Sequence, residues 1–144
     1  MKIRYWIPTI IVLIFIWGNS MLNGSISEMI SSFIQYLLTG QDMEMVILNG
    51  SDKLLRKIAH FSEYLLLALC VYYGCYKNRI AGQTMRFCMI LFLLVAPCDE
   101  WIQSFTEGRN ASFFDVLLDW SGYTIGWLIN LLLIKRWIKP SHPY

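Results

Sequence analysis

In RKIAHFSEYLLLALCVYY, Arg56 to Tyr73, a stretch that continues as a membrane-type apolar helix carries His60 and Glu63 three residues apart. On a helix the two share a face. PCDEWIQSF then places Asp99, Glu100 and Gln103 together, with Gln103 four residues from Asp99 and three from Glu100. In GRNASFFDVLLDWSGYTIG, Asp115, Asp119, Gly122 and Gly126 fall on one stripe at i, i+4, i+7 and i+11. An imidazole beside carboxylates can move a proton near neutral pH, and crowded carboxylates share protons because like charges disfavour joint ionisation. Arg109 offers a planar fork for phosphate or carboxylate, and Lys57 and His60 add charge-assisted donors. Such a set binds an anion or moves a proton.

The elements that must position these groups are apolar. The chain has 144 residues, of which 56% are AVILMFWYC and 15% are charged, a membrane composition. Apolar runs at 5–22, 58–76, 85–105 and 113–134 approach the length that about 30 Å of hydrocarbon asks of a helix. Lys2 and Arg4 precede the first run in the manner of a signal peptide, but no small-x-small cleavage site follows it, so it reads as an uncleaved span. Ionisable groups inside spans cost about 2.5 to 3.5 kcal/mol each at mid-membrane and face a bundle interior or a wet cavity. The acids should therefore converge, and Gly122 and Gly126 form a small-xxx-small surface on which another helix can pack closely.

Charge placement orients the layout, because Lys and Arg accumulate in cytoplasmic loops. With the N-terminus inside, the cytoplasmic pieces hold Lys2, Arg4, Lys77, Arg79, Arg86, Lys135, Arg136 and Lys139 and no acid. Every acid falls on the other side, with Lys53, Arg56, Lys57 and Arg109. Both termini read as cytoplasmic, and the basic balance as orientation rather than nucleic-acid binding. Between the first two spans, Ile26, Met29, Ile30, Phe33, Ile34, Leu37 and Leu38 have amphipathic-helix spacing. Ser25 to Glu28 forms a capping-box pattern at its start and Gly40 fits its end. Such a helix lies on the outer leaflet or lids the bundle. Cys70, Cys75, Cys88 and Cys98 have no CxxC spacing and read as small packing residues. The expected fold is a single all-α domain over 1–144, an integral membrane four-helix bundle with an additional extracytoplasmic amphipathic helix at about 26–39.

The ordered set Lys57-x-x-His60-Phe61-x-Glu63-Tyr64, Asp99-Glu100-x-x-Gln103, Gly108-Arg109-x-x-Ser112-x-x-Asp115 and Gly122-x-x-x-Gly126 resembles the VanZ-like family. These are small bacterial membrane proteins whose named member is associated with low-level resistance to the glycopeptide antibiotic teicoplanin. Two positions depart from that pattern: Glu107 stands where a proline is expected and Asp119 where an asparagine is expected. The resemblance adds Tyr64 and Ser112 to the candidate binding set of Lys57, His60, Glu63, Asp99, Glu100, Gln103, Arg109, Asp115 and Asp119.

Four chemistries compete for this set. The first is an outward-facing pocket for an anionic or sugar-bearing amphiphile, such as a lipid-linked cell-wall precursor or a lipoglycopeptide, presented by membrane lipid. The second is a hydrolase or transferase on a lipid-linked phosphate or acyl group, with His60 as acid or base, Glu63 or Asp115 orienting it and Arg109 stabilising negative charge. A metal held by His60 and carboxylates ranks lowest, because Glu-x-x-His appears reversed and only once, and no cofactor is expected. A proton-coupled transporter needs ionisable groups in the inner halves of the spans, where "LLLALCVYY" and "WLINLLLIK" hold almost none. Four spans leave room for a homo-oligomer.

Overall fold

The computed structural model describes residues 1–40, 45, 47, 51–109 and 111–137. A 3-10 turn at Ile3–Tyr5 leads into α1 at Ile7–Ser20 and α2 at Gly24–Thr39, followed by α3 at Ser51–Lys77. Then come α4 at Gly82–Leu91, a 3-10 turn at Phe92–Leu94, α5 at Val95–Gln103 and α6 at Phe113–Trp137. Among the described residues there is no strand, so the all-α expectation holds. Most of the expected loop GQDMEMVILNGSDK, together with Lys139, lies outside the described residues.

Local chemistry sets the helix ends. Proline in the first turn of α1 lacks an N–H that would be unsatisfied there anyway. The expected capping box at Ser25 gives way to Asn23, whose side-chain oxygen accepts from the Ser25 N–H at 3.1 Å. Asn caps as well as Ser does, and starting the helix at Gly24 lets that glycine approach the Gly108 carbonyl so closely that a Cβ would collide with it. Gly40 closes α2 as expected, at φ +70° with its N–H on the Tyr36 carbonyl at 2.8 Å.

The run expected as one span at 85–105 divides into α4 and α5. Pro97 supplies no N–H to the carbonyl four residues earlier, that of Leu93, and the chain tightens into the 3-10 turn there. Trp120 on α6 fills the gap, donating its indole N–H to the Leu93 oxygen at 2.8 Å.

The α3 and α6 helices form the spine. A Cβ at Gly122 would collide with the carbonyl of Phe61, and one at Gly126 would stand 2.5 Å from that of Leu65. The stripe faces protein as expected, with Asp119, Gly122 and Gly126 buried and Asp115 half-buried. α1 packs on α3 and α5, and α4 on α3. Between them lies an apolar core that includes Val12, Ile16, Leu67, Ala68, Val71, Cys75, Met89, Ala96 and Tyr123. Cys75 packs there and Cys70 and Cys88 are half-buried, but Cys98 is exposed, against the expectation of a packing residue.

α2 is turned inside out relative to a soluble amphipathic helix. Its buried residues are Gly24, Ser27, Ser31 and Ser32. The apolar stripe from Ile26 to Leu38 points away from the protein, each member 42% to 73% exposed. If this helix lids anything, it does so with hydroxyls. Among the described residues, one helix is by length and composition able to cross a membrane, α3 over Lys53–Lys77, and α1 with α2, bent by 112° at their break, pass the same test as a pair.

Candidate functional site

The C-terminal ends of α1 and α5 meet the N-terminal ends of α3 and α6, and the polar side chains gather where they meet. Asp99 on α5 is fully buried. It accepts from the Ser20 hydroxyl at 2.5 Å and from the Gln103 amide at 2.9 Å, the latter being the i, i+4 pair visible in the sequence. Glu63 is buried on α3 and accepts from the Asn19 amide at 3.1 Å through one oxygen, while its other oxygen has no partner. Asp119 on α6 is fully buried, and neither of its oxygens has a hydrogen-bond partner. His60 Nδ1, also without a hydrogen bond, lies 3.9 Å from Asp119 Oδ1. Tyr64 is buried nearby on the same helix as His60, its hydroxyl unpartnered.

Arg109 departs from the role its position suggests. Placed in the turn between the acids of α5 and those of α6, it is expected to bridge Glu100, Asp115 and Asp119. Instead its Nη2 donates to the Asn19 carbonyl at 3.1 Å and to the Ser27 hydroxyl at 2.9 Å. It makes no ion pair with an acid among the described residues. The reason is steric: the close Gly24–Gly108 approach draws the start of α2 against this turn, next to the guanidinium. Burial, ahead of the charge of Arg56, lowers the Arg109 guanidinium from its ordinary value, and it remains charged at neutral pH.

Glu100 and Ser112 act on the turn itself. Glu100 accepts from the Ser112 N–H at 2.8 Å, and the Ser112 hydroxyl accepts from the Phe114 N–H at 3.2 Å, capping α6. Lys57 is exposed, but it lines a cavity of about 270 Å³ with Lys53, Arg56, His60, Gln103, Arg109 and Asp115. A second, smaller cavity of about 160 Å³ shares Arg56 and His60 with it and is lined by the apolar Phe15, Ile30, Ile34 and Leu55 and by the polar Asn19, Ser27 and Glu63. The first wall is rich in cations and the second carries the apolar side chains.

The structure thus brings His60, Glu63, Tyr64, Asp99, Gln103 and Asp119 into one region, with Arg109, Lys57 and Asp115 at its open side and Glu100 on α5 holding Ser112 of the adjoining turn. Sequence reasoning missed Asn19, Ser20 and Ser27, which supply partners to Glu63, Asp99 and Arg109. The signal was present: Asn19 and Ser20 interrupt an apolar run, and Ser27, Ser31 and Ser32 share the face opposite the stripe. Lys53 and Arg56, counted only in the charge balance, prove to line the cationic cavity.

No curated protein and no solved structure matches the chain. A family model described as VanZ/LLP1 matches residues 5–134, nearly the whole length and every polar group named above. The chain belongs to the VanZ/LLP1 family.

Proposed function

We propose that this VanZ-family chain is a multi-pass protein of the bacterial cytoplasmic membrane with both termini inside, a four-helix bundle whose third span is the α4–α5 pair. α2 lies in the outer leaflet, its apolar stripe in lipid and its serines against the bundle. The space at the polar end then opens outward and takes an anionic or sugar-bearing amphiphile, a lipid-linked cell-wall precursor or a lipoglycopeptide. Through that ligand the protein bears on glycopeptide resistance, teicoplanin included.

One observation carries this reading: a cavity walled by Lys53, Arg56, Lys57 and Arg109 adjoins, with Arg56 and His60 common to both walls, a second cavity partly lined by the apolar Phe15, Ile30, Ile34 and Leu55. A charged head and a hydrocarbon tail ask for those two walls side by side. Native mass spectrometry of the protein from its own membranes should show a co-purifying anionic lipid, reduced about tenfold in Lys57→Gln and Arg109→Lys. A parent protein that carries none, or variants that carry as much, would sink the reading. Labelling of a cysteine in the 77–86 loop only from the cytoplasmic side tests the orientation separately.

The enzymatic alternative rests on His60, which lines both cavities and whose Nδ1 lies 3.9 Å from Asp119 Oδ1. His60→Gln keeps hydrogen bonding but removes proton transfer near neutral pH. Loss of the teicoplanin phenotype with lipid binding intact would favour catalysis, and retention of both would favour binding.

A further inference from the structure

We propose that His60, Asp99 and Asp119 form a three-ligand site for a divalent transition-metal ion, Mn²⁺ or Zn²⁺. The three come from α3, α5 and α6, and one ligand atom from each lies within 4.8 Å of the others. Asp99 and Asp119 are both 0% exposed. Both oxygens of Asp119 and Nδ1 of His60 lack any hydrogen-bond partner. A buried carboxylate left in that state is costly unless something positive meets it.

A proton alone does not mend it. The hydroxyl of a neutral Asp119 would find His60 Nδ1 at 3.9 Å, beyond hydrogen-bond range, and both groups would stay unsatisfied. Arg109 is committed to Asn19 and Ser27 and pairs with no acid among the described residues. A cation between them meets His60 Nδ1 and an Asp119 oxygen at once. Metal bonds of about 2.0 to 2.2 Å from a single ion span the 3.9 Å between Nδ1 and Oδ1, and ligand atoms up to 4.8 Å apart draw inward to share it. Asp99 is already oriented by Ser20 and Gln103, the outer support that metal-bound carboxylates use.

The donors indicate the ion. An imidazole argues against Ca²⁺ and Mg²⁺, and the absence of sulfur among the three argues against Cu⁺. With three protein ligands the shell keeps an open position. His60 and Gln103 also wall the cationic cavity, so an anion held by Lys57 and Arg109 lies beside that position. A metal on Nδ1 takes that nitrogen out of proton transfer. The site needs neither a bound lipid nor turnover, so it stands or falls apart from the reading above.

The test uses tag-free protein in detergent, its metal content measured by mass spectrometry and its unfolding followed after chelation with Mn²⁺ or Zn²⁺ added back. We expect one ion per chain and a midpoint that rises by about 5 °C or more at about a hundredfold excess over Kd. Asp119→Asn should lose both the ion and the rise. Asp115→Asn, which alters a cavity carboxylate outside the triad, should keep both. His60→Gln serves as a second ligand variant should Asp119→Asn not fold. The site is refuted if the parent holds no stoichiometric ion and neither metal moves its midpoint. It is refuted equally if the ligand variants keep the ion, or if Asp115→Asn loses it as completely as they do.

Discussion

The two ends of the α3–α6 pair are built from the same two helices and solve opposite problems. From Leu67 to Cys75, α3 meets Tyr123 and Met89 in a packed apolar core where even the Tyr123 hydroxyl has the Met89 sulfur at 3.9 Å. From His60 to Tyr64 the same helix faces Asp99 and Asp119 across a region with open donors and acceptors. Of the buried side-chain polar atoms without partners among the described residues, those of Trp6 and Thr9 lie at the apolar end and that of Gln35 on α2, whereas His60, Glu63, Tyr64, Arg109 and Asp119 contribute to the polar end. Unsatisfied polar groups are expensive to keep, so their concentration at one end marks where a ligand is to be sought. Stability resides at one end and chemistry at the other.

That division can be broken where the ends join. Gly122→Leu would drive a side chain into the Phe61 carbonyl, which is backbone and cannot swing aside. It should cost about 3 kcal/mol or more and leave no well-folded protein, whereas Thr124→Leu, at an exposed position on the same helix, should unfold like the parent. A Gly122→Leu protein with the parent's unfolding midpoint would mean that the helices do not touch there.

Within the apolar end alone, Leu67→Ala should remove about 3 kcal/mol by opening a cavity among fully buried neighbours. Lipid binding at saturating concentration should be unaffected in the fraction that remains folded. Reduced binding in that fraction would show the ends to be coupled.

At the polar end, Arg109→Ala should cost about 1.5 to 3 kcal/mol, the worth of hydrogen bonds from a charged donor, and should weaken anion binding as well. Arg109→Lys should keep most of the stability and lose part of the binding. Equal thermal unfolding of parent and alanine variant would reduce Arg109 to a solvated loop cation.

The smallest effects sharpen the comparison on α2. Leu37→Ser, at 65% exposure, should stay within about 0.5 kcal/mol in detergent. Ser32→Leu, which puts bulk on the fully buried side, should cost about 1 to 3 kcal/mol. The opposite order would mean that α2 packs through its apolar stripe after all.

Much of this was legible in the residues. Helix positions followed from apolar periodicity, and the Asp99–Gln103 and Asp119–Gly122–Gly126 spacings identified pairs and stripes that the fold uses, because i, i+4 neighbours are fixed by the helix itself. The direction in which α2 faces was not legible. Periodicity reveals two faces but not which solvent each meets, and the serines that it buries look like any polar face. Arg109 was misjudged for a related reason: its place in a turn says which helices are near, whereas its partners depend on how closely Gly24 and Gly108 let α2 approach. That His60, Asp99 and Asp119 converge from three helices follows from the cost of ionisable groups in apolar spans, but which of their atoms face one another is encoded in no spacing along the chain.

The serine face of α2 also sets how readily that helix can move. Lifting an ordinary amphipathic helix from a protein exposes hydrocarbon at about 25 cal/mol per Å². Lifting this one uncovers Ser27, Ser31 and Ser32, two of which already bond carbonyls of their own helix through their hydroxyls. What ties α2 down at its start is the Gly24 N–H on the Glu107 carbonyl at 3.0 Å and the Ser27 hydroxyl under Arg109. Those contacts lie at one end, whereas from Phe33 onward no residue is fully buried, Gln35 alone being half-buried with its Oε1 enclosed. Were α2 to lie in lipid as proposed, a swing about Asn23 would leave its apolar stripe in the same surroundings, and the polar face beneath it would be uncovered without exposing hydrocarbon to water.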